Sequence, residues 1–202
     1  KRLPALVDSR FKKLGRAAEA EQDYSEAIRL NGEYYANHLN RGLLRQRLGN
    51  AAGAKVDLER ANALLPTAAA HYVLGNLAQA GNNQARAIEH YRLAAGSDSE
   101  VGKRAGSALV RLDLPRNPGN YVQVEPVADA AASLGLRVTN RSPVALRNLR
   151  VVGAVPAAGF SREYALSGSL KPGQAMVVAM GSRLADFKVG LAQVRGQVRG
   201  AE

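Results

Sequence analysis

The sequence predicts a chain of two domains, a right-handed α-solenoid of about three helical hairpins with a capping helix, then a small antiparallel β-sandwich. Residues 1–113 carry Ala-rich apolar patterning at helical spacing. Residues 121–199 alternate apolar and polar side chains and favour β-branched types. Between them, residues 114–120 read LPRNPGN, a cluster of turn formers and helix breakers. We therefore predict a helical domain at residues 1–114 and a β domain at residues 120–202.

The helical half contains an internal repeat. The interval from Gly15 to Gly49 is the same as that from Ala20 to Ala54. A third copy, GNNQARAIEHYRLA at residues 81–94, follows at a slightly shorter interval with an altered turn. The interval matches the period of about 34 residues that is typical of repeats in which two helices joined by a turn form one unit.

On this spacing, residues 14–31 and 48–66 resemble the tetratricopeptide repeat (TPR) family, and the resemblance extends over roughly residues 3–96. It implies hairpins that stack on one another, because no single hairpin can bury its apolar face alone. Small residues such as Gly42 and Gly75 would let the two helices of a hairpin approach closely. The helices are predicted at residues 3–14, 18–31, 35–48, 51–64, 68–80 and 84–95, with a capping helix at residues 98–112.

The ends of these helices carry recognisable signals. Gly15 and Gly49 are each expected to end the first helix of a hairpin in a left-handed conformation, which glycine adopts without a steric cost. Pro66 cannot continue a helix and is expected to end the second. Ser97, with Glu100 three residues later, predicts a capping box at the start of the last helix. That helix would cover the exposed end of the array.

The β half shows alternation most clearly at Leu134, Leu136 and Val138, which predicts a strand with one buried face. The sequences NRSP at residues 140–143 and KPGQ at 171–174 have the composition of turns. Several short strands within about 80 residues suggest an immunoglobulin-like sandwich. The run LRVTNRSPVALRNLRV, followed by LKPGQ, resembles the FxLYD-type sandwich domains of bacterial envelope proteins. Strands are predicted at residues 121–127, 134–139, 149–155, 161–166, 175–180 and 191–198.

Catalytic and metal-binding signatures are missing from the sequence. The absence of Cys excludes disulfides, thiolate metal sites and cysteine catalysis. The three histidines, His38, His71 and His90, lack metal-ligand spacing and are interpreted as packing or surface residues. No GxSxG or phosphate-binding glycine loop is present. We predict no enzyme activity, no metal and no cofactor, and no apolar run of membrane-spanning length is present.

The TPR resemblance implies a binding groove lined by the first helix of each hairpin. Its amide side chains could bond an extended peptide backbone, while its tyrosine and leucines could hold side chains. The alternative is that these residues pack internally or face water. Ala69 and Val73 stand where the family's carboxylate clamp presents Lys and Arg, which argues against binding of a C-terminal carboxylate. The predicted groove residues are Leu39, Leu43, Gln46, Arg47, Tyr72, Asn76 and Gln79.

Three functions remain open from the sequence. The leading one is a scaffold that binds a protein or peptide partner, and the resemblance implies bacterial envelope assembly or quality control, in the periplasm. The second is the non-catalytic C-terminal part of a larger HExxH zinc peptidase, since Lys1 is not Met and we expect a processed or partial chain. The third is binding of nucleic acid or anionic lipid through a net charge of +11, although dispersed charge without interleaved aromatics argues against nucleic acid. The oligomeric state is not set by the sequence.

Overall fold

The computed structural model describes residues 3–188, 191 and 195–200. By its internal contacts the chain divides into two compact units, residues 1–105 and residues 106–202. Helices come first in the chain and antiparallel strands follow. This confirms the predicted order of a helical region and then a small antiparallel β region. None of the described helices is long and apolar enough to cross a membrane.

Four of the predicted helices appear within one residue of their expected bounds. They form two antiparallel hairpins, α2 with α3 and α4 with α5. The described helices ahead of the first strand are α1 Leu3–Leu30, α2 Tyr35–Arg47, α3 Ala51–Leu64, α4 Ala68–Ala80, α5 Gln84–Ala95 and α6 Glu100–Asp113.

The prediction of two helices at residues 3–14 and 18–31 is wrong, because α1 runs without interruption from Leu3 to Leu30. Gly15 does not take a left-handed conformation, whereas Gly49 does, with φ +83°. The difference lies in the residues after each glycine. Asn50 caps the next helix after Gly49, but Gly15 is followed by RAAEAE, a run of strong helix formers without a cap. A lone glycine costs a helix only about 1 kcal/mol, so the helix continues through it.

The turns of the two hairpins are equivalent, with one left-handed residue at the same place in each. These residues are Gly49 (φ +83°) and Asn82 (φ +57°). The altered turn that the sequence suggested at Gly81 is therefore the same turn, with Asn82 in place of the glycine. Asparagine is one of the few side chains that tolerates this conformation.

Hydrogen bonds repeat with the turns. The N–H of Asn50 donates to the carbonyl of Arg45 at 2.9 Å, and the N–H of Asn83 donates to that of Ala78 at 2.8 Å. This six-to-one bond is that of the Schellman motif. Both asparagines also cap the following helix, since each side-chain oxygen accepts the N–H three residues on, at 2.9 and 3.2 Å. Each hairpin therefore begins its second helix by the same device.

Each hairpin also has a glycine where its two helices cross. A Cβ atom on Gly42 would lie 2.8 Å from Cγ of Leu58, and one on Gly75 would lie 2.6 Å from Cε1 of Tyr91. The interval from Gly42 to Gly75 equals that from Leu58 to Tyr91, and it is also the interval between the two turns. The glycines thus provide the room that a large buried side chain from the second helix of the same hairpin fills.

The start of α6 differs from the predicted capping box. Because the helix begins at Glu100, its cap is Ser99 and not Ser97. The Ser99 hydroxyl accepts the N–H of Gly102 at 3.1 Å, while Ser97 Oγ accepts the N–H of Ser99 at 3.3 Å. The serine pair therefore forms a local turn ahead of the helix.

The second half of α6 belongs to the β unit. The division of the chain falls between Ala105 and Gly106, ahead of the linker in which the sequence placed the boundary. Val110 is buried in the same apolar cluster as the strands. Asp113, only 2% exposed, accepts a hydrogen bond from the hydroxyl of Tyr121 at 2.7 Å. The helix end is thereby joined to the residue that directly precedes the first strand, Val122–Ala128.

All six predicted strands have a counterpart in the structure. The last is observed at Arg195–Gly200, and residues 192–194 of its predicted span lie outside the described residues. Two short strands, β3 and β6, were not predicted. The described strands are β1 Val122–Ala128, β2 Ser133–Asn140, β3 Leu146–Arg147, β4 Arg150–Val155, β5 Phe160–Ala165, β6 Ser169–Leu170, β7 Ala175–Arg183 and β8 Arg195–Gly200, with a short helix α7 at Leu184–Phe187.

The strands form three antiparallel sheets, ordered β1-β2-β7, β5-β4-β8 and β3-β6. The two three-stranded sheets share one apolar core, to which β2 contributes Leu136 and Val138, β4 contributes Val151 and Val155, and β7 contributes Met180. Arg137, between two buried residues of β2, is exposed. The predicted burial of Leu134, Leu136 and Val138 is confirmed, but the alternation is incomplete, because Gly135 is buried and Thr139 is half-buried.

The contrast between two glycines tests whether α1 is continuous. Gly15→Ala should raise the free energy of unfolding by up to about 1 kcal/mol, since alanine is the better helix former and a Cβ there meets nothing within 4 Å. Gly49→Ala should lower it, because its φ of +83° strains any side chain. Urea unfolding followed by circular dichroism measures both. A destabilising Gly15→Ala would mean that the sequence-predicted turn exists after all.

Candidate protein-binding surfaces

The leucines of the predicted groove serve the core of the helical unit. Leu39 and Leu43 are half-buried and pack against a cluster formed by Leu58, Ala70 and Leu74. Their apolar surface is therefore largely covered by α3 and α4. Only the remainder of each side chain is open to a partner.

Three further groove residues converge on one buried tyrosine. The ring of Tyr72 lies 5.9 Å from that of Tyr91, centroid to centroid. The Tyr91 hydroxyl is 2.7 Å from Oδ1 of Asn76 and 2.8 Å from Oε1 of Gln79. A hydroxyl has one proton to donate, so one amide accepts it and the other is satisfied by turning its NH₂ toward the oxygen. Tyr91 is 1% exposed, so these amides serve an internal network.

Gln79 is itself exposed, although its side chain bonds the Tyr91 hydroxyl. Gln46 and Arg47 are the other exposed groove residues. They lie in the last turn of α2, where a cation also complements the negative end of the helix dipole. Arg47 forms no ion pair with any residue in the described part of the chain. The predicted set therefore separates into five residues that make internal contacts, one of them the exposed Gln79, and an exposed pair at the end of α2.

An opening of the helical unit lies on different helices, between α3 and α5, and has a volume of about 500 Å³. Its apolar lining comes from α4, where Leu74 is buried and Leu77 and Ala78 are half-buried. Ala51 and Ala52, at the start of α3, leave the opening wide because their side chains are short. We call this space the α3–α5 cleft.

The rim of the α3–α5 cleft is charged. On α3, Lys55 Nζ lies 3.8 Å from Oε1 of Glu59, an exposed pair that neutralises itself. On α5, Arg86 is exposed and forms no ion pair with another described residue. The rim therefore presents one uncompensated cation above an apolar floor. Sequence analysis missed this site because a void depends on which side chains are short at neighbouring positions of three helices.

His90, on the same rim, is hydrogen-bonded to His71 of α4. Their Nδ1 atoms are 3.2 Å apart, and Asn62 Nδ2 lies 3.2 Å from Nδ1 of His71. The backbone N–H of Thr67 donates to Asn62 Oδ1 at 3.0 Å, which turns the amide NH₂ toward His71. His71 Nδ1 must then be the acceptor, and His90 Nδ1 carries the proton that it donates.

The two histidines are joined by one hydrogen bond, so both Nδ1 atoms have a partner without a metal. Burial lowers the pKa of both histidines, and the neighbouring His90 lowers that of His71 further. If His71 were protonated at Nδ1, its N–H, the N–H of His90 and the NH₂ of Asn62 would be three donors facing one another without an acceptor. No group of three or more potential metal ligands occurs among the described residues.

His38 belongs to a second polar cluster, which joins α1, α2 and α3. Asp57, 1% exposed, accepts two hydrogen bonds from Arg41 at 2.6 and 2.8 Å and one from Arg45 at 2.9 Å. Arg45 also donates to Glu21 of α1 at 2.7 Å. The His38 ring lies 3.8 Å from Asp57 through Nδ1 and is 3.0 Å from a backbone carbonyl through Nε2. These charges are paired with one another and serve the packing of three helices.

Comparison with known proteins finds no match that helps to interpret this geometry. No protein-family model matches the chain, and no curated protein matches it with significance. The functional argument therefore depends on the repeated hairpins and on the cleft.

The Asp57 cluster should be essential for stability. Asp57→Ala removes the carboxylate that pairs with Arg41 and leaves Arg45 paired with Glu21 alone. This should cost about 3 kcal/mol or more of the free energy of unfolding. The matched change is Glu26→Ala, which breaks an exposed pair with Arg29 and should have little effect on the free energy of unfolding. Urea unfolding of both variants makes the comparison. Equal costs would show that the cluster contributes no more than a surface ion pair.

The histidine pair should make the protein sensitive to mild acid. Because the folded pKa values lie below the usual 6.5, the unfolded chain takes up protons first as the pH falls. The contribution of the neutral histidine pair to the free energy of unfolding is thus complete above about pH 6.5. It is lost as the pH falls through the lower pKa values of the folded protein. Unfolding free energies measured from about pH 7.5 to about pH 5 should fall less in a His71→Gln, His90→Gln double variant. An identical pH profile would contradict the assignment.

Proposed function

We propose that this chain is a non-catalytic protein-interaction scaffold whose helical unit is a short TPR-type solenoid that binds a peptide or partner protein. The observation that carries the proposal is the equivalence of the two hairpins at one constant interval, that from Gly49 to Asn82. Turn conformation, helix cap and glycine crossing all repeat. Arrays of this kind work by presenting a surface built from several stacked helices.

The shared geometry of the two hairpins supports a solenoid over an irregular helical bundle. Irregular bundles have no reason to repeat a Schellman turn and an asparagine cap at a constant spacing. Pairing of α1 with α2 and of α3 with α4 adds the contacts expected of neighbours in a stack. The interval between the hairpins is one residue shorter than the period of about 34 residues usual for TPR units.

The α3–α5 cleft is the surface that fits a partner best. It combines an apolar floor of Leu74, Leu77 and Ala78 with the uncompensated cation of Arg86 on its rim. Apolar anchors in a pocket provide most of the affinity in peptide recognition, and charges at the rim provide selectivity. We infer a partner segment that places an apolar side chain on the floor and a carboxylate against Arg86.

The exposed end of α2 is the competing surface. Apart from the hydrogen-bonded Gln79, Gln46 and Arg47 are the exposed part of the groove implied by the TPR resemblance. That surface lacks a cavity, and its apolar members Leu39 and Leu43 are engaged in the core. The same resemblance suggests a role in bacterial envelope assembly or quality control, which we retain as the setting of the proposal.

Selection from a random displayed-peptide library, with the whole chain as bait, tests the function even though the partner is unidentified. Peptides with an apolar residue flanked by Asp or Glu should be enriched. Arg86→Glu should weaken them at least about tenfold, since a charge-assisted hydrogen bond becomes a repulsion. Arg92→Glu is the matched control, because Arg92 is an exposed arginine of the same helix outside the cleft.

The alternatives give different results in the same assay. Loss of binding in Arg47→Glu, with Arg86→Glu unaffected, would move the site to the end of α2. Equal weakening by Arg86→Glu and Arg92→Glu would indicate attraction to the overall positive charge. Failure to enrich any peptide family would contradict a peptide-binding role for the helical unit.

A further inference from the structure

Among the described edge strands of the β unit, β7 has a long run without the charge or proline that usually protects an edge against pairing. The two three-stranded sheets have four edges, at β1, β7, β5 and β8. Charged side chains or proline normally block such edges. Accordingly, β1 contains Glu125 and Pro126, and β5 contains Arg162 and Glu163. In β7 the run AMVVAMGS, residues 175–182, contains neither a charge nor a proline.

The first part of β7 is straight and well supported. Residues 175–179 pair with β2 in unbroken register, from Ala175 opposite Thr139 to Ala179 opposite Gly135. Beyond them the register shifts, and Gly181 takes a left-handed conformation with φ +72°. The straight part therefore offers one short, regular row of backbone donors and acceptors on the side away from β2. We call residues 175–179 the β7 edge.

The two faces of the β7 edge are unlike. Met176 and Val178 pack against the core of the unit. Ala175, Val177 and Ala179 are exposed, and the Val177 side chain is 57% exposed. Packing of the inner face holds the strand in place, so pairing along its free side requires no prior ordering of the chain.

We propose that the β7 edge pairs antiparallel with the β7 edge of a second copy of this chain, about a two-fold axis through Val177. The exposed face reads the same in both directions from Val177, so Ala175 meets Ala179 of the copy and the two valines face each other. Closed dimers of this kind are self-complementary by symmetry. The pairing would join two three-stranded sheets into one of six strands, by the mechanism of β-strand addition.

A second copy fits the β7 edge better than a charged partner does. No charge lies within residues 175–182 to select an acidic strand, and the neighbouring exposed charge is Arg137, opposite Val177 on β2. Two copies each carry a net charge of +11 and repel at long range. Salt screens this repulsion within about 8 Å at physiological ionic strength. Self-association should therefore strengthen with salt, whereas binding of an acidic partner would weaken.

Sedimentation of the whole chain over a range of concentrations, at about 0.05 M and about 0.5 M NaCl, tests the proposal. The wild type should form a concentration-dependent dimer that is favoured at the higher salt. Val177→Lys should remain monomeric, because it sets two like charges opposite each other at the axis. Val56→Lys, at a site on α3 that is 65% exposed, should dimerise like the wild type. A monomeric wild type, a dimeric Val177→Lys, or loss of the dimer in Val56→Lys would each overturn the proposal.

A cysteine cross-link provides a readout that does not depend on tolerance of the lysine. The chain has no Cys, and directly opposite Cα atoms in antiparallel strands lie about 4.5–5.5 Å apart, within disulfide range. Val177→Cys should therefore oxidise to a covalent dimer several times faster than Val56→Cys. Equal rates for the two variants would contradict pairing at the β7 edge.

Discussion

The crossing of the two helices in each hairpin leaves no room for a Cβ atom on one of them, and much of the helical unit depends on this constraint. Gly42 and Gly75 allow Leu58 and Tyr91 to fill the crossings. At the second crossing the approach is close enough for the buried Tyr91 hydroxyl to reach Asn76 and Gln79 across the hairpin. The amides on that side are thereby used inside the protein. Arg86 and His90, on the same helix as Tyr91, are left to line the α3–α5 cleft.

Much of the helical fold depends on features that act locally. The spacing of small residues correctly predicted the positions of α2 to α5. The turn of each hairpin contains both a residue in the left-handed conformation and an asparagine that caps the next helix. The same reasoning failed at Gly15, where a glycine without a cap is a weak signal against a run of helix formers. It also made the turn after Gly81 look altered, because asparagine can take the left-handed position as Asn82 does. A glycine therefore predicts a turn only together with the residues that begin the next helix.

The functional surfaces were harder to predict, since they depend on contacts between distant residues. Helical spacing correctly put Tyr72, Asn76 and Gln79 on one helix face but could not show that Tyr91 occupies that face. His71 and His90 are far apart in the sequence, and only the packing of α4 on α5 brings their Nδ1 atoms to 3.2 Å. The strands of the β half were predicted from alternation, but their order in the sheets, and hence the exposed β7 edge, required the structure.

The central claim is that the helical unit binds a partner segment in the α3–α5 cleft. Nuclear magnetic resonance of the isotope-labelled chain, titrated with a peptide selected on it, locates the binding surface directly. The account predicts that the largest amide shift changes cluster on α3 around Lys55, on α4 around Ala78 and on α5 around Arg86. Changes confined to the end of α2, or to the β unit, would contradict it.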